Sequence, residues 1–353
     1  MLDEGIWKWG ADIILQIQHW GLPVLPFELV TFLGNEAFYF VLVPVLYWFV
    51  RPAAGIRILL LLLFSAYSNS FVKLALTQPR PYWVSSEIKG YVFESSYGIP
   101  SGHSQNAVTI WGYLASILRS GRPWVIPLAV ALIAVICFSR MVLGVHFPQD
   151  IIGGLILGGV VLFIFMRSID SILGWYESLS TGRKIGYSLV VSWILIALAI
   201  ILRSLLNHED PDTWKIMATL AEGVDVSDVA SLKKAFDPRS LDPLITIAGT
   251  LAGVGVSLAL SERSNHFRII KKPAAYVGIF LLGFIGLVIF RELPKKIFPF
   301  EDEILAGIVR YGRYFITMLW AVYWAPMLFK SLGWAEPLPD NEMKTFLQLE
   351  NKQ

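Results

Sequence analysis

The chain has 353 residues, of which 55% are hydrophobic and only 16% charged, with a net charge of +2 and a mean hydropathy of +0.60. Soluble domains contain about 25% charged residues, so too few charged side chains remain to cover a soluble globule of this size. The composition excludes a disordered chain, a collagen-like repeat and a disulfide scaffold, argues against nucleic acid as a partner, and indicates an integral membrane protein.

Residues 1–33 form an N-terminal segment of mixed polarity. It contains three tryptophans, Trp7, Trp9 and Trp20, which suit the boundary between lipid and water. Pro23 interrupts any single long helix through this segment. We therefore expect a helix that lies in the membrane interface, with a poorly inserted extra span as the alternative.

Nine apolar windows follow, and each is a candidate membrane span. A bilayer core of about 30 Å needs about 20 apolar residues per helix. In chain order the windows are 36–50, 56–75, 104–119, 123–141, 150–168, 184–203, 243–261, 273–290 and 311–330. The sequence therefore predicts an all-α fold, a polytopic transmembrane helical bundle of about nine spans.

Loop lengths and composition suggest three parts. After the N-terminal segment, residues 34–172 form a membrane core with short loops, and residues 173–353 form an additional membrane half. The polar loop 204–242 belongs to that half, and its acidic residues outnumber its basic ones. Because basic residues gather in the loops of the opposite face, the positive-inside rule places the face of this loop outside the cytoplasm.

Three cations lie near predicted span ends on this extracytoplasmic face. They are Lys73, Arg80 and Arg140. Charged residues at span ends are candidates for a functional site, and the two guanidinium forks and the ammonium group match the oxygens of phosphate. Each also has a simpler explanation, because Lys73 can snorkel to the interface and either arginine can contact lipid headgroups.

Ser101 and Gly102 begin window 104–119 on the same face. Backbone N–H groups at the N-terminus of a helix form a ready site for an anion, which phosphate can fill. Ser101 can also act as an ordinary N-cap, and that role is compatible with the same geometry.

Two of the five histidines, His103 and His146, fall within this cluster. Asp150 follows His146 by four residues, so its carboxylate can reach one imidazole nitrogen and leave the other nucleophilic. His103 can supply a proton to a leaving oxygen. Two histidines and an aspartate could also bind zinc, but three neighbouring cations would repel a dication, so we expect no metal ion.

The order and spacing of these residues resemble the three-part signature of the type-2 phosphatidic acid phosphatase superfamily, over about residues 34–170. The three blocks are Lys73 with six residues to Arg80-Pro81, then Pro100-Ser101-Gly102-His103, then Ser139-Arg140 with five residues to His146 and three to Asp150. The resemblance implies a helical core with its site at the membrane surface, and metal-independent hydrolysis through a phosphohistidine without a cofactor.

The resemblance also implies a role for each residue. His146 is the nucleophile and Asp150 orients it, while His103 is the general acid and later the base that activates water. The remaining residues hold the phosphoryl oxygens: Lys73, Arg80, Ser101, Gly102 and Arg140. Residues 33–36, together with the aromatic residues after them, faintly resemble sphingosine-1-phosphate phosphatases.

The expected function is therefore hydrolysis of a lipid phosphomonoester or lipid pyrophosphate by an integral membrane phosphatase. Its expected partners are the lipid phosphate substrate and the bilayer. One alternative is a phosphotransferase that passes the phosphoryl group to a lipid or sugar hydroxyl. The other is a non-enzymatic transporter or scaffold. Oligomeric state does not follow from the sequence.

Overall fold

The computed structural model describes residues 4–206, 208–223, 235–261, 267–270 and 272–337. Its α-helices are α1 Glu4–His19, α2 Val24–Phe32, α3 Glu36–Val45, α4 Pro52–Leu76, α5 Pro81–Val84, α6 Gly102–Asn106, α7 Gly112–Leu118, α8 Val125–Val142, α9 Pro148–Ser178, α10 Thr181–Ser204, α11 Asp212–Glu222, α12 Asp242–Leu260, α13 Pro273–Ile297, α14 Glu303–Leu319 and α15 Ala325–Ser331. Three π-helical turns, Leu46–Val50, Ala107–Trp111 and Trp320–Trp324, continue helices α3, α6 and α14. Strands β1 Phe267–Ile269 and β2 Ala335–Pro337 pair in antiparallel orientation. The predicted all-α bundle is confirmed.

Among the residues that the structure describes, six helices are long and apolar enough to cross a membrane, by length and composition. They are Pro52–Val84, which joins α4 and α5, and then α8, α9, α10, α12 and α13. The bent pair of α1 and α2 raises the number to seven if it counts as one span. The prediction of about nine spans is therefore too high for the described part of the chain.

Three of the predicted windows are helical but do not qualify as spans. Window 36–50 is a shorter apolar helix. Window 104–119 lies in the helix from 102 to 118, which at 1.5 Å per residue covers about 25 Å of the roughly 30 Å required. Window 311–330 lies in α14 and its continuation, which are not among the candidate spans.

The N-terminal helices α1 and α2 meet at a bend of 119°. Gly21 lies between them with φ +63°, in the left-handed region that glycine adopts at little cost. Pro23 immediately precedes α2. The bend prevents these helices from forming one straight span, and their location in the membrane interface stays a prediction.

The chain divides into two compact units, each built from separate segments. The first comprises Met1–Tyr39, Phe64–Phe165 and Ile200–Ser240, and the second comprises Phe40–Leu63, Met166–Ala199 and Leu241–Gln353. All of the predicted site residues lie in the first unit. The functional division at residues 33 and 172 stays a proposal.

Aromatic packing around Trp83 organises the first unit. The buried cluster contains Tyr82, Trp83, Tyr97, Leu143, Val145, Trp214 and Ala218, with Trp7 and Phe236 packed against it. The ring centroids of Trp83 and Phe236 are 4.8 Å apart, and Trp7 meets Trp214 edge to face at 5.9 Å. Because large rings contribute strongly to a core, this cluster fixes the backbone on which Arg80 and Tyr97 stand.

Two glycines of α9 bring this helix close to the chain segment that carries His103. A Cβ atom at Gly154 would lie 2.5 Å from the carbonyl oxygen of Ser101, and one at Gly158 would lie 2.8 Å from that of Gln105. The four-residue spacing of these glycines therefore serves helix packing within the unit, as expected from small residues in membrane helices.

The second unit uses the same kind of contact. A Cβ atom at Gly249 would lie 2.6 Å from the carbonyl oxygen of Tyr311, and one at Gly253 would lie 2.5 Å from that of Phe315. Helices α12 and α14 therefore pack backbone to backbone. Asp302 caps α14 by accepting a hydrogen bond from the amide of Leu305 at 2.9 Å.

Candidate active site

Lys73 and Arg80 both reach the segment between α5 and α6. Lys73 lies in the last turn of α4, and its Nζ atom donates to the carbonyl oxygen of Tyr97 at 2.5 Å and to Ser96 Oγ at 3.2 Å. Arg80 precedes α5, and its Nε atom donates to the carbonyl oxygen of Ser96 at 2.6 Å. Both side chains are buried, so they lie in a medium where charge interacts strongly.

Arg80 also links this segment to His146. One terminal nitrogen, Nη1, donates to the carbonyl oxygen of Val145 at 3.1 Å and lies 3.3 Å from His146 Nε2. Because a guanidinium group can only donate, the Nε2 atom of His146 is the acceptor and carries a lone pair.

The other imidazole nitrogen of His146 faces Asp150. Nδ1 lies 3.3 Å from Asp150 Oδ2, and the same oxygen accepts a hydrogen bond from the amide of Phe147 at 2.9 Å. The carboxylate is therefore held in place by the backbone and in turn holds the proton on Nδ1. Burial, followed by the charge of Arg80, lowers the pKa of His146 well below its usual value, so the ring is neutral.

Arg140 brings the third cation from the last turn of α8. Its Nη1 atom donates to Thr31 Oγ1 of α2 at 2.7 Å. Its Nε atom is buried and has no acceptor among the described residues. A buried N–H donor without an acceptor destabilises the folded protein. An anion bound next to Arg140 Nε would supply the missing acceptor.

Ser101 and Gly102 stand where the helix α6 begins. Ser101 Oγ accepts from the amide of Ser104 at 3.4 Å and from its hydroxyl at 3.1 Å, so Ser101 is the N-cap. The amide of Ser101 donates to the carbonyl oxygen of Asp150 at 2.9 Å, which ties the start of α6 to α9. A Cβ atom at Gly102 would lie 3.2 Å from Asn69 Oδ1.

His103 follows and is largely enclosed, with 18% of its side chain exposed. A Cβ atom at Gly34 would lie 2.9 Å from its Cδ2 atom, so Gly34 leaves room for the ring. Burial, followed by the charge of Arg140, lowers the pKa of His103 from 6.5 to about 3. Its ring is therefore neutral at physiological pH in the absence of a bound anion.

Glu94 joins the cations into one cluster. Its Oε2 atom accepts a hydrogen bond from Arg80 Nη2 at 2.7 Å, and its Oε1 atom accepts one from Arg140 Nη2 at 2.5 Å. Oε1 also lies 4.0 Å from His103 Nδ1. Burial alone would raise the pKa of the Glu94 carboxyl, but the charges of both arginines outweigh it and hold that pKa well below its usual value.

The cation-and-histidine arrangement coincides with a known family domain. Residues 54–172 match the PAP2 superfamily, and residues 245–337 match the PAP2 superfamily phosphatase, transmembrane extension. The chain carries a PAP2 superfamily domain. The predicted resemblance is thereby confirmed. The superfamily match ends at residue 172, near the expected end of the resemblance, and the match to the transmembrane extension lies beyond it.

Several characterised proteins are similar to parts of the chain. Sphingosine-1-phosphate phosphatase 1 of Rattus norvegicus is 30% identical over 148 residues, which are 40% of this chain and 34% of that protein. Phosphatidylglycerophosphatase B of Bacillus subtilis (strain 168) is 29% identical over 169 residues, which are 46% of this chain and 76% of that protein. Glucose-6-phosphatase catalytic subunit 1 of Haplochromis nubilus is 24% identical over 350 residues, or 88% of this chain and 92% of that protein. The chain thus matches only about a third of the length of the sphingosine-1-phosphate phosphatase. No solved structure matches the chain significantly.

Two features of the PAP2 domain were not predicted from the sequence. Glu94 is one of two acidic residues between Arg80 and His103, and neither has a spacing that stands out. The signal that could have selected it is the need for a counter-charge, because three converging cations in an enclosed site favour a carboxylate nearby.

Tyr97 is the second feature, and it connects the PAP2 domain to the polar segment after α10. Its hydroxyl donates to Asp210 Oδ1 at 2.8 Å and accepts from Arg239 Nε at 3.1 Å. Arg239 Nε also donates to Asp210 Oδ2 at 2.9 Å. The Tyr97 carbonyl accepts hydrogen bonds from Lys73 and Arg80. The contacts of the Tyr97 hydroxyl with Asp210 and Arg239 therefore help to fix a residue that binds two of the phosphate-binding candidates.

Proposed function

We propose that the protein is an integral membrane phosphatase that hydrolyses a lipid phosphomonoester or lipid pyrophosphate through a phosphohistidine at His146. The observation that carries this proposal is the buried Nε2 lone pair of His146, with Asp150 behind the ring and the Arg80 guanidinium 3.3 Å from Nε2. A neutral imidazole with its far nitrogen fixed by a carboxylate is suited to nucleophilic attack.

In the first step, His146 Nε2 forms a bond to phosphorus while the bond from phosphorus to the leaving oxygen breaks. Lys73, Arg80 and Arg140 stabilise the charge on the phosphoryl oxygens. We place the amides of Ser101 and Gly102 among the donors, because they begin a helix. His103 gives a proton to the leaving oxygen, which departs as the lipid alcohol or the lipid monophosphate.

In the second step, His103 takes a proton from a water molecule, and the water oxygen attacks the phosphorus of the phosphohistidine. The bond from phosphorus to Nε2 breaks, and inorganic phosphate leaves with both histidines restored to their starting state. His103 must be protonated for the first step although it is neutral in the free site. The negative charge of an incoming phosphate favours that protonation.

The location of the site favours a lipid substrate. Lys73 lies in the last turn of α4, which belongs to a candidate span, and Arg140 and Asp150 lie at the ends of the candidate spans α8 and α9. A phosphate there can be reached by a headgroup while its tail stays in the bilayer. The names of two relatives, a sphingosine-1-phosphate phosphatase and a phosphatidylglycerophosphatase, fit this choice. We place the site on the extracytoplasmic face from the loop charges.

One observation favours a second candidate, a soluble phosphomonoester as substrate. The similarity to a glucose-6-phosphatase catalytic subunit extends over 88% of the chain, including the region of the transmembrane extension. The two candidates share the phosphohistidine chemistry and differ only in what carries the phosphate. Substrate profiling therefore separates them.

The test is release of inorganic phosphate by the purified protein in lipid nanodiscs. Sphingosine-1-phosphate, phosphatidic acid, a polyprenyl pyrophosphate and glucose-6-phosphate form the substrate panel. We expect release from at least one lipid and none from a His146→Ala variant, while His19→Ala, which alters an exposed histidine, serves as the matched control. Phosphate transferred to an added lipid alcohol would favour the phosphotransferase. Absence of release and transfer would leave the transporter or scaffold.

A further inference from the structure

The Glu94 carboxylate occupies the donors that a phosphoryl group requires. Its two oxygens accept from one terminal nitrogen of Arg80 and one of Arg140, at 2.7 and 2.5 Å. A tetrahedral phosphate would bind these cations through the same N–H groups. A carboxylate and a phosphate cannot accept these hydrogen bonds at the same time, so an incoming phosphate has to displace Glu94.

The side chain of Glu94 is the part of the cluster that can move. It is 29% exposed, whereas the side chains of Arg80 and Arg140 are 0% and 1% exposed. The backbone at Glu94 is fixed, because its amide donates to the Tyr82 hydroxyl and its carbonyl accepts from that hydroxyl, both at 3.0 Å. Rotation of the side chain toward solvent therefore frees both arginines without a change in the fold.

Building on the proposed function, we propose that Glu94 takes the place of the phosphoryl group in the free site. The site thereby selects substrates by the charge of their phosphate group. A terminal phosphomonoester or pyrophosphate group carries close to two negative charges near neutral pH and displaces the single charge of the carboxylate. A phosphodiester carries one charge and gains no electrostatic advantage over Glu94. The Glu94 carboxylate therefore excludes diester lipids, which share the bilayer with the substrate, from the phosphate site.

The hydrogen-bond donors around the Glu94 carboxylate support this role over a purely structural one. A structural ion pair would satisfy its arginines fully, yet Arg140 Nε has no acceptor among the residues that the structure describes. A carboxylate has two oxygens and cannot reach this third donor while it bridges the two guanidinium groups. A phosphoryl group offers three oxygens and can accept from it as well.

The test compares anion binding in protein that cannot turn over substrate. Isothermal titration with inorganic phosphate at pH 8, and with dimethyl phosphate as the diester probe, is performed on His146→Ala protein with and without Glu94→Gln. We expect Glu94→Gln to bind phosphate at least about tenfold more tightly and to bind dimethyl phosphate measurably, which the protein with Glu94 does not. Glu87→Gln, an exposed glutamate of the same segment, is the matched control and leaves both affinities unchanged.

Glu94→Asp provides a second variant that keeps the charge if Glu94→Gln does not fold. The shorter side chain cannot bridge both arginines, so we expect tighter phosphate binding than with Glu94. Unchanged or weaker phosphate binding in the folded variants overturns the inference. So does a loss of kcat when Glu94→Gln is made in protein that retains His146, without a change in the phosphate affinity of the His146→Ala protein, because that pattern describes an orienting partner of His103. Since phosphate binding is measured without turnover, the affinity outcomes are independent of whether the protein proves to be a phosphatase.

Discussion

His146 Nδ1 lies 3.3 Å from Asp150 Oδ2, and that oxygen is itself fixed by the amide of Phe147. The pair is four residues apart, at the junction between a short turn and helix α9. The carboxylate therefore determines which imidazole nitrogen carries the proton. In the proposed mechanism it also compensates the positive charge that develops when Nε2 forms a bond to phosphorus.

Asp150→Asn should reduce kcat by roughly a thousandfold, since an amide can stabilise the wrong tautomer of His146. The KM should change little, because Asp150 contacts Nδ1 of His146 and not the Nε2 atom that we propose attacks the phosphate. Steady-state kinetics with a lipid phosphate measure both quantities. Asp12→Asn, at an exposed position of α1, is the control. A variant that keeps wild-type kcat would contradict the role given to Asp150.

Arg80→Lys should strongly impair phosphate binding although it keeps the positive charge. Arg80 uses three nitrogens to contact Ser96, Glu94 and His146, whereas a lysine supplies one ammonium on a flexible stem. We expect kcat/KM to fall by about a hundredfold or more. Arg119→Lys, on an exposed residue at the end of α7, should leave kcat/KM unchanged. If Arg80→Lys also left kcat/KM unchanged, charge alone would matter at position 80.

Part of the local geometry of the site could be predicted because it depends on short sequence spacings. The interval between His146 and Asp150 is one turn of helix, and the start of α6 follows directly from Ser101. Each of these relationships is local and independent of the remaining fold. The order of the three blocks is also the basis of the phosphate-binding role that we propose for the cluster.

Relationships between distant segments could not be predicted in the same way. The hydroxyl of Tyr97 meets a carboxylate 113 residues further along the chain, at Asp210. No periodicity links these positions, and only the folded chain brings them together. The count of spans failed for a different reason, since hydropathy windows measure apolar character and ignore whether one continuous helix of sufficient length carries it.

Tyr97→Phe should test whether the polar segment after α10 supports the site. The substitution removes the hydroxyl that binds Asp210 and Arg239 and leaves the backbone carbonyl that accepts from Lys73. We expect a loss of about 1–3 kcal/mol in unfolding free energy and a raised KM. Tyr91→Phe in the same segment is the matched control. A Tyr97→Phe protein with unchanged stability and KM would show that this support is dispensable.

Gly154→Ala should separate α9 from the start of α6. The added Cβ atom would lie 2.5 Å from the carbonyl oxygen of Ser101, which is backbone and cannot move aside cheaply. We expect destabilisation of about 1–3 kcal/mol together with reduced kcat, because Ser101 and Asp150 lie on the two helices. Gly159→Ala on the same helix meets open space and should be neutral or stabilising by up to about 1 kcal/mol. Thermal unfolding and phosphate release measure the contrast, and similar behaviour of both variants would contradict close packing at Gly154.

The two histidines predict how stability depends on pH. Burial lowers the pKa of His103 from 6.5 to about 3, and it lowers that of His146 well below 6.5. From pH 6.5 down to the lowered pKa of each histidine in the folded chain, the unfolded chain binds a proton at that histidine and the folded chain does not. The stabilising contribution is therefore fully present above pH 6.5 and is lost as the pH falls. Well below pH 6.5, each histidine contributes a slope of about 1.4 kcal/mol per pH unit to the unfolding free energy.

Unfolding of the protein in detergent at pH 7, 6 and 5 measures this slope. His103→Gln should lower this slope by the contribution of one proton, about 1.4 kcal/mol per pH unit, because glutamine does not titrate. His19→Gln, which changes an exposed histidine, is the matched control. Addition of inorganic phosphate should flatten the curve in the wild type, since a bound anion favours protonated His103 in the folded state. A wild-type slope equal to that of His103→Gln would mean that His103 already binds its proton in the folded, unliganded site.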